Sequence, residues 1–555
     1  MKNFKRFTAA VAATLMAASL SIPMAMNVSA ATKDTISFTG EAGTGHQYFA
    51  YRIFGGEVKT TDNKTELTNI VWANPDKADD FLAALQKDVT IGSDFTNCTN
   101  AAEVAAVLGT YQNNSPKAKA FAKFVAANKD KVQIVNAISG SAISATDDGY
   151  YVIVETPLNG TPQDTAMTSY LLAVYDASEG AEIEVKSAIP TVIKKIKENS
   201  TLPDTVGTTD NRMSDYNIPA DYNDTADFSI GDIVPFQIVG SMPSNIDEYA
   251  SYKYIFHDTL DSQFTLAENF GVSNVTITIG GEKVTTGYTV AVENNEITIT
   301  FDNIKNVAEL TADSKVIVDY SATLSNAAEI GQLGQKNAVY LEYSNNPNVG
   351  GEGETDTTSQ TPKDEVIAFT YELDVTKIDG ANEDLKLAGA KFKLQATDGE
   401  HINKWVQVDT DGKVSGWADT EADGSELTSG TDGIFKVIGL DQGNYSLKET
   451  EAPKGYNILA DPVAFDITAS IGHSQSDDTI DGQELSYLKL TVNGNQNVGI
   501  VGTGIVEMSI ENNSGSTLPS TGGMGTKLFY LGGGAMVAVA GIVLITKKRM
   551  SKNAE

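Results

Sequence analysis

The sequence predicts a mainly β chain, with β-sandwich domains in tandem behind an N-terminal α+β domain. Short alternating runs such as Val275-Thr276-Ile277-Thr278-Ile279 and Glu296-Ile297-Thr298-Ile299-Thr300-Phe301 recur between Gly and Asn turns. Helical periods are confined to one early stretch, residues 76–128. A chain of 555 residues accommodates about three domains of ~150 residues.

The N-terminal domain is expected over 31–187. Strands at Thr35–Phe38 and Gln47–Phe54 precede helices at Asp76–Lys87, Ala101–Leu108 and Ser115–Asn128. Strands return at Gly149–Val154 and Ser169–Tyr175. With no cluster of His, Cys or paired acids, the helical insert reads as a lid on a sheet. The middle domain, 188–350, is a β-sandwich by its many short strands. Asn, Gly, Glu, Thr, Ser and Pro then dominate to Thr361, so 351–361 reads as a linker. A second sandwich is expected over 362–513, opening at Phe369–Asp379 and closing at Ile505–Asn513.

Both ends carry targeting signals. Lys2, Lys5 and Arg6, a short apolar run and Val28-Ser29-Ala30 make residues 1–30 a secretory signal peptide. In the 514–555 tail, Leu518-Pro519-Ser520-Thr521-Gly522 precedes an apolar stretch of membrane-spanning length, Leu528–Ile545, and the basic stop Lys547-Lys548-Arg549. The balance of 40 Lys+Arg against 73 Asp+Glu, −33 net, argues against nucleic acid and anionic membrane surfaces as partners. It suits a solvated extracellular surface. The one cysteine, Cys98, excludes an intramolecular disulfide and reads as a passive thiol.

Tyr445-Ser446-Leu447-Lys448-Glu449-Thr450-Glu451-Ala452-Pro453-Lys454-Gly455-Tyr456 is the most informative stretch. Tyr445, Leu447 and Glu449 share one strand face, so burying the first two carries a carboxylate into the core. Such a group must be neutral or paired. The same face of the opening strand carries Phe369, Tyr371, Leu373, Val375 and Lys377. Val506, Met508, Ile510 and Asn512 share a face of the closing strand, with Asn513 on the other.

These twelve residues match the Tyr-x-Leu-x-Glu-Thr-x-Ala-Pro-x-Gly-Tyr "E-box" of Gram-positive sortase-assembled pilins. The tail is similar to an LPXTG sorting signal. The chain thus resembles a major, or backbone, pilin with tandem Ig-like, collagen-adhesin-type domains. The resemblance implies a Lys377–Asn512 isopeptide bond promoted by Glu449 in a collagen-adhesin B-type domain. In the middle domain it implies a Lys194–Asn337 bond promoted by Asp258, with Lys195, Asn326 and Asn345 as alternatives. Sortase would cleave between Thr521 and Gly522. The acceptor amine of the next subunit would be Lys186, in Glu184-Val185-Lys186-Ser187 where the family has Tyr-Pro-Lys-Asn.

The implied product is a covalent pilus, or fimbria, on a Gram-positive cell wall, supporting adhesion. Its partners are sortase, identical subunits, minor pilins and peptidoglycan. No turnover enzyme, cofactor or metal is implied: no nucleophile–base pair, metal cluster or phosphate loop is evident. Asp409-Thr410-Asp411-Gly412 lacks the bidentate glutamate of an EF-hand and reads as a turn. The alternative role is a monomeric wall-anchored adhesin or a basal or tip pilin.

Overall fold

A computed structural model describes residues 32–40, 47–61, 64–113, 115–135, 142–155, 163–185, 188–199, 221–349, 357–472 and 480–515, with the dipeptides 5–6 and 27–28. The N-terminal part is α+β. Its larger sheet runs Lys64–Trp72, Tyr48–Thr61, Gly149–Glu155, Leu171–Tyr175, and Gln133–Val135 pairs with Tyr48–Thr61. Helices Ala78–Leu85, Ala101–Leu108 and Pro116–Ala127 share a core with this sheet through Phe81, Val104, Phe121 and Phe124. Each of the last two starts on a cap. Asn100 Oδ1 accepts from Glu103 N at 3.0 Å, and Ser115 Oγ from Ala118 N at 3.3 Å, with Pro116 in the first turn.

The middle part is a sandwich. One sheet follows Tyr222–Asn223, Val192–Lys197, Ile233–Ser241, Lys315–Leu324, Thr276–Ile279 and Glu282–Val284. The other follows Thr225–Asp227, Asp364–Phe369, Gln335–Ser344, Tyr254–Leu260, Glu296–Phe301 and Thr289–Glu293. Alternation decides what each strand buries: Val316, Val318 and Tyr320 face in, as do Ile297, Ile299 and Phe301.

The strand pairing moves the expected boundary. Thr358–Gln360, inside the stretch read as linker, pairs with Gln335–Ser344, and so does Asp364–Phe369, read as part of the last domain. The run Val366–Phe369 is wholly buried. It fills the sandwich beside Gln335–Ser344 before the chain passes through Thr370 into the next unit.

In the C-terminal unit, Tyr371–Asp379 is flanked by Ile434–Leu440, antiparallel, and Ile505–Asn512, parallel. The facing sheet follows Val414–Ala418, Trp405–Val408, Lys391–Ala396, Gly443–Glu451, Val463–Ile471, Leu485–Val492 and Asn495–Val498. One apolar core runs through the middle and C-terminal units, whereas the N-terminal cores are separate. The two units lock where Ile230 N donates to Gly439 O at 3.0 Å. Gly439 has φ +92°, and a Cβ there would lie 2.3 Å from Ile230 Cδ1.

Gly439→Ala should therefore cost about 1–3 kcal/mol in urea unfolding through strain plus overpacking. Gly455→Ala, at φ +93° with open space around it, should cost less. Equal losses would remove the close-approach argument.

Candidate functional site

Lys194 lies in Val192–Lys197, and Ile193 and Lys195 on the opposite face of that strand are buried too. Lys194 is 0 % exposed. Its Nζ donates to Asp258 Oδ1 at 2.7 Å and to Tyr320 Oη at 3.1 Å, and it lies 5.0 Å from the Phe236 ring centre. The Tyr320 hydroxyl donates to Asp258 Oδ2 and accepts from Asn337 Nδ2 at 2.6 Å. Asn337 faces Leu260, two residues from Asp258 on the neighbouring strand, so the two side chains share a face. Asn337 Oδ1 is buried with no hydrogen-bond partner among the described residues. Amine and carboxamide thus meet at one phenol oxygen, each from a different sheet.

Burial pushes the Lys194 amine below its ordinary range, against the pull of Asp258. Burial likewise raises Asp258, against the pull of Lys194. Both shifts favour a neutral pair, a free amine beside a protonated acid.

The other candidates for this bond are engaged elsewhere. Lys195, also buried, pairs with Asp224. Asn345 Nδ2 donates to Ser359 Oγ at 2.8 Å, and its Oδ1 accepts from Thr357 Oγ1 at 2.6 Å. Asn326 is exposed. The sequence reading missed Tyr320, whose place in Val316-Ile317-Val318-Asp319-Tyr320 marks it only as one more inward aromatic.

The second constellation lies in the C-terminal unit. Lys377, 0 % exposed, donates from Nζ to Ile510 O at 2.6 Å. Parallel pairing sets Lys377 opposite Ile510 and Asp379 opposite Asn512. Asn512 Nδ2 donates to Glu449 Oε2 at 3.1 Å and Asn457 O at 2.7 Å. Glu449 Oε2 also accepts from Leu459 N at 2.7 Å. Glu449 Oε1 and Asn512 Oδ1 have no hydrogen-bond partner among the described residues, though both are buried. Asn513 is exposed. Burial lowers the Lys377 amine to about 8, opposed by Glu449. The Leu459 and Asn457 backbone contacts come from the loop after the Pro453–Gly455 turn, and no side-chain pattern announces them.

Lys186, Leu518, Pro519, Ser520, Thr521 and Gly522 lie outside the described residues, as does the apolar stretch Leu528–Ile545. Among the described residues no helix is long and apolar enough to cross a membrane. Asp409 Oδ1 accepts from Asp411 N at 2.9 Å and Lys413 N at 3.0 Å, closing the turn.

Each sandwich thus holds a buried lysine–acid–asparagine set, and both sandwiches overlap matches to known families. Residues 230–347 match the Gram-positive pilin backbone subunit 2, Cna-B-like domain. Residues 371–479 match the prealbumin-like fold domain, and 510–552 the LPXTG cell wall anchor motif. The chain carries pilin backbone domains and a cell-wall anchor, and it is a cell-wall-anchored surface protein.

Among its relatives is the trypsin-resistant surface T6 protein of Streptococcus pyogenes, 23% identical over 381 residues, which are 58% of this chain and 65% of the relative. The chain thus spans just under two thirds of that relative's length. The solved T6 backbone pilin of serotype M6 S. pyogenes has a TM-score of 0.50 at 16% identity, covering 88% of this chain and 100% of that one. It shows the same fold. The full-length major pilin SpaD of Corynebacterium diphtheriae gives a TM-score of 0.42 at 16% identity, covering 88% and 99%.

The Lys377 shift has a sign that can be tested in Asn512→Ala, where no amide can form. A folded pKa of about 8 lies below the unfolded value of about 10.4, so the unfolded chain binds more protons between them. The contribution of Lys377 to stability is fully present above the unfolded value and is lost as pH falls through about 8. Urea unfolding of Asn512→Ala should show it, and Lys377→Met in that background should flatten the rise. A profile unchanged by Lys377→Met would place the titration elsewhere.

Proposed function

We propose that this chain is the repeating backbone subunit of a sortase-assembled pilus, strengthened by self-formed Lys194–Asn337 and Lys377–Asn512 amides. The observation that carries the cross-links is the meeting of Lys194 and Asn337 at the Tyr320 hydroxyl beside Asp258, sealed from solvent. The neutral lysine amine attacks the asparagine Cγ. The protonated acid gives its proton to the carboxamide and recovers one from the attacking nitrogen. The Cγ–Nδ2 bond breaks, and ammonia leaves. One amine and one carboxamide become one amide plus ammonia, once per site. The protein is a structural component and no turnover enzyme.

The same reading assigns assembly to the chemistry of the tail. A sortase cleaves between Thr521 and Gly522 and holds the Thr521 carbonyl as a thioester. The amine of Lys186 in the next subunit then displaces the enzyme. Lys186 suits the role by position, directly after the strand Ala181–Val185 and before Val192–Lys197. Minor pilins and wall peptidoglycan join by the same acyl transfer.

The intact mass of the mature chain should be lower than the sequence mass by one ammonia for each bond. Glu449→Ala and Asp258→Ala should each restore one, and Tyr320→Phe should slow its bond by ~10²-fold. A wild-type mass equal to the sequence mass would sink both cross-links.

Assembly is tested separately. Wall proteins released by muramidase and boiled in SDS should form a high-mass ladder that collapses to monomer in Lys186→Ala. A surviving ladder would move the acceptor lysine. No ladder in wild type, with the sortase expressed, would leave a monomeric adhesin.

A further inference from the structure

The seam between the middle and C-terminal units holds a group of side chains that neither cross-linking nor assembly uses. Asp232, 5 % exposed, precedes the middle-unit strand Ile233–Ser241, while Glu400 and His401 belong to a turn of the C-terminal unit. His401 Nε2 and Asp232 Oδ1 are 2.7 Å apart. One ligand atom from each of Asp232, Glu400 and His401 lies within 4.8 Å of the other two. Glu400 and His401 also line a cavity of about 20 Å³, larger than the ~10–15 Å³ that one water-sized occupant needs.

The cavity gathers further acids. Asp441, 9 % exposed, lines the same cavity. Asp398 lines it too, while burial, the Asp227 and Glu198 carboxylates and a hydrogen bond to Asp227 hold Asp441 well above the usual carboxylate range. His401 is the one lining residue that can carry positive charge. Asp232, Asp398 and Glu400 still bring negative charge to a partly desolvated site, where like charges repel and solvation is incomplete. A cation would offset both.

The ligands are also held in place. The imidazole of His401 stacks on Trp417 with centroids 4.5 Å apart and planes 10° from parallel. Asp232 Oδ2 accepts from Ser229 N at 3.0 Å, which fixes the carboxylate. An imidazole among carboxylates suits zinc-like ions, whereas calcium takes oxygen donors.

We propose that Asp232, Glu400 and His401 bind a divalent transition-metal ion of the zinc class, with Asp441 facing the same cavity. The ion would clip the middle unit to the C-terminal unit.

The full chain, stripped with EDTA and titrated with Zn²⁺ alone, should take up a single zinc saturably and unfold at a higher temperature when loaded. His401→Ala and Glu400→Gln should each weaken uptake by about tenfold or more. Glu400 is exposed, so its variant keeps the test valid should His401→Ala fail to fold. The zinc X-ray absorption edge should report one imidazole among oxygen donors. Absence of saturable uptake, uptake unchanged in Glu400→Gln, or equal displacement by Ca²⁺ would overturn the proposal and leave His401–Asp232 as an ion pair between units.

Discussion

A lysine amine buried in an apolar sandwich core is the constraint on which the rest of this structure depends. Removing an ammonium from water costs several kcal/mol even after local relaxation, and a single carboxylate repays it only with good geometry. Lys194 and Lys377 are both wholly buried. Around Lys194 the surroundings answer with an aspartate, a phenol and an aromatic face. Around Lys377 they answer with a strand carbonyl and a nearby glutamate. An amide made from the lysine and its asparagine would end this cost for good, because neither product atom is charged. The polar atoms left unpaired at Asn337, Asn512 and Glu449 fall where that reaction needs them. Each is a penalty in a structure meant only to be stable.

The two sites solve this in different topologies. Lys194 and Asn337 lie on opposite sheets of the middle sandwich, so their bond would tie sheet to sheet. Lys377 and Asn512 lie on neighbouring parallel strands, so theirs would tie first strand to last within one sheet, with Glu449 reaching over from the facing sheet. The middle acid sits beside Asn337 on an adjacent strand.

Much of this is legible from period-two alternation. Glu449 follows Tyr445 and Leu447, Lys377 follows Tyr371, Leu373 and Val375, and Asn512 follows Val506, Met508 and Ile510. In each case the apolar residues declare which face is buried. What alternation cannot reveal is a polar atom on a residue that belongs inside anyway, and so Tyr320 was invisible. Nor does it show how the other face of a strand is covered. Lys195 is buried because the chain around Asp224 folds over it. The unit boundary was misplaced for a related reason: Val366 to Tyr371 has no Gly or Pro to mark where one sheet ends and the next begins. The Asp232–His401 pairing was out of reach, since it joins residues far apart across a seam.

The seam matters most under load. In the proposed polymer, tension enters at Lys186 and leaves at Thr521. A Lys194–Asn337 amide would shield everything between those two residues, and a Lys377–Asn512 amide would shield the C-terminal unit likewise. Between the bonds, residues 337–377 would carry the whole load without covalent help. Strand Asp364–Phe369 resists there through its ladders to Gln335–Ser344 and Thr225–Asp227. Ladders yield, and this one is where the chain crosses from one unit to the next. Asp232 lies inside the first shielded loop and His401 inside the second. A cation held between them would therefore join two parts that tension cannot unfold, bridging the unshielded span between the two bonds.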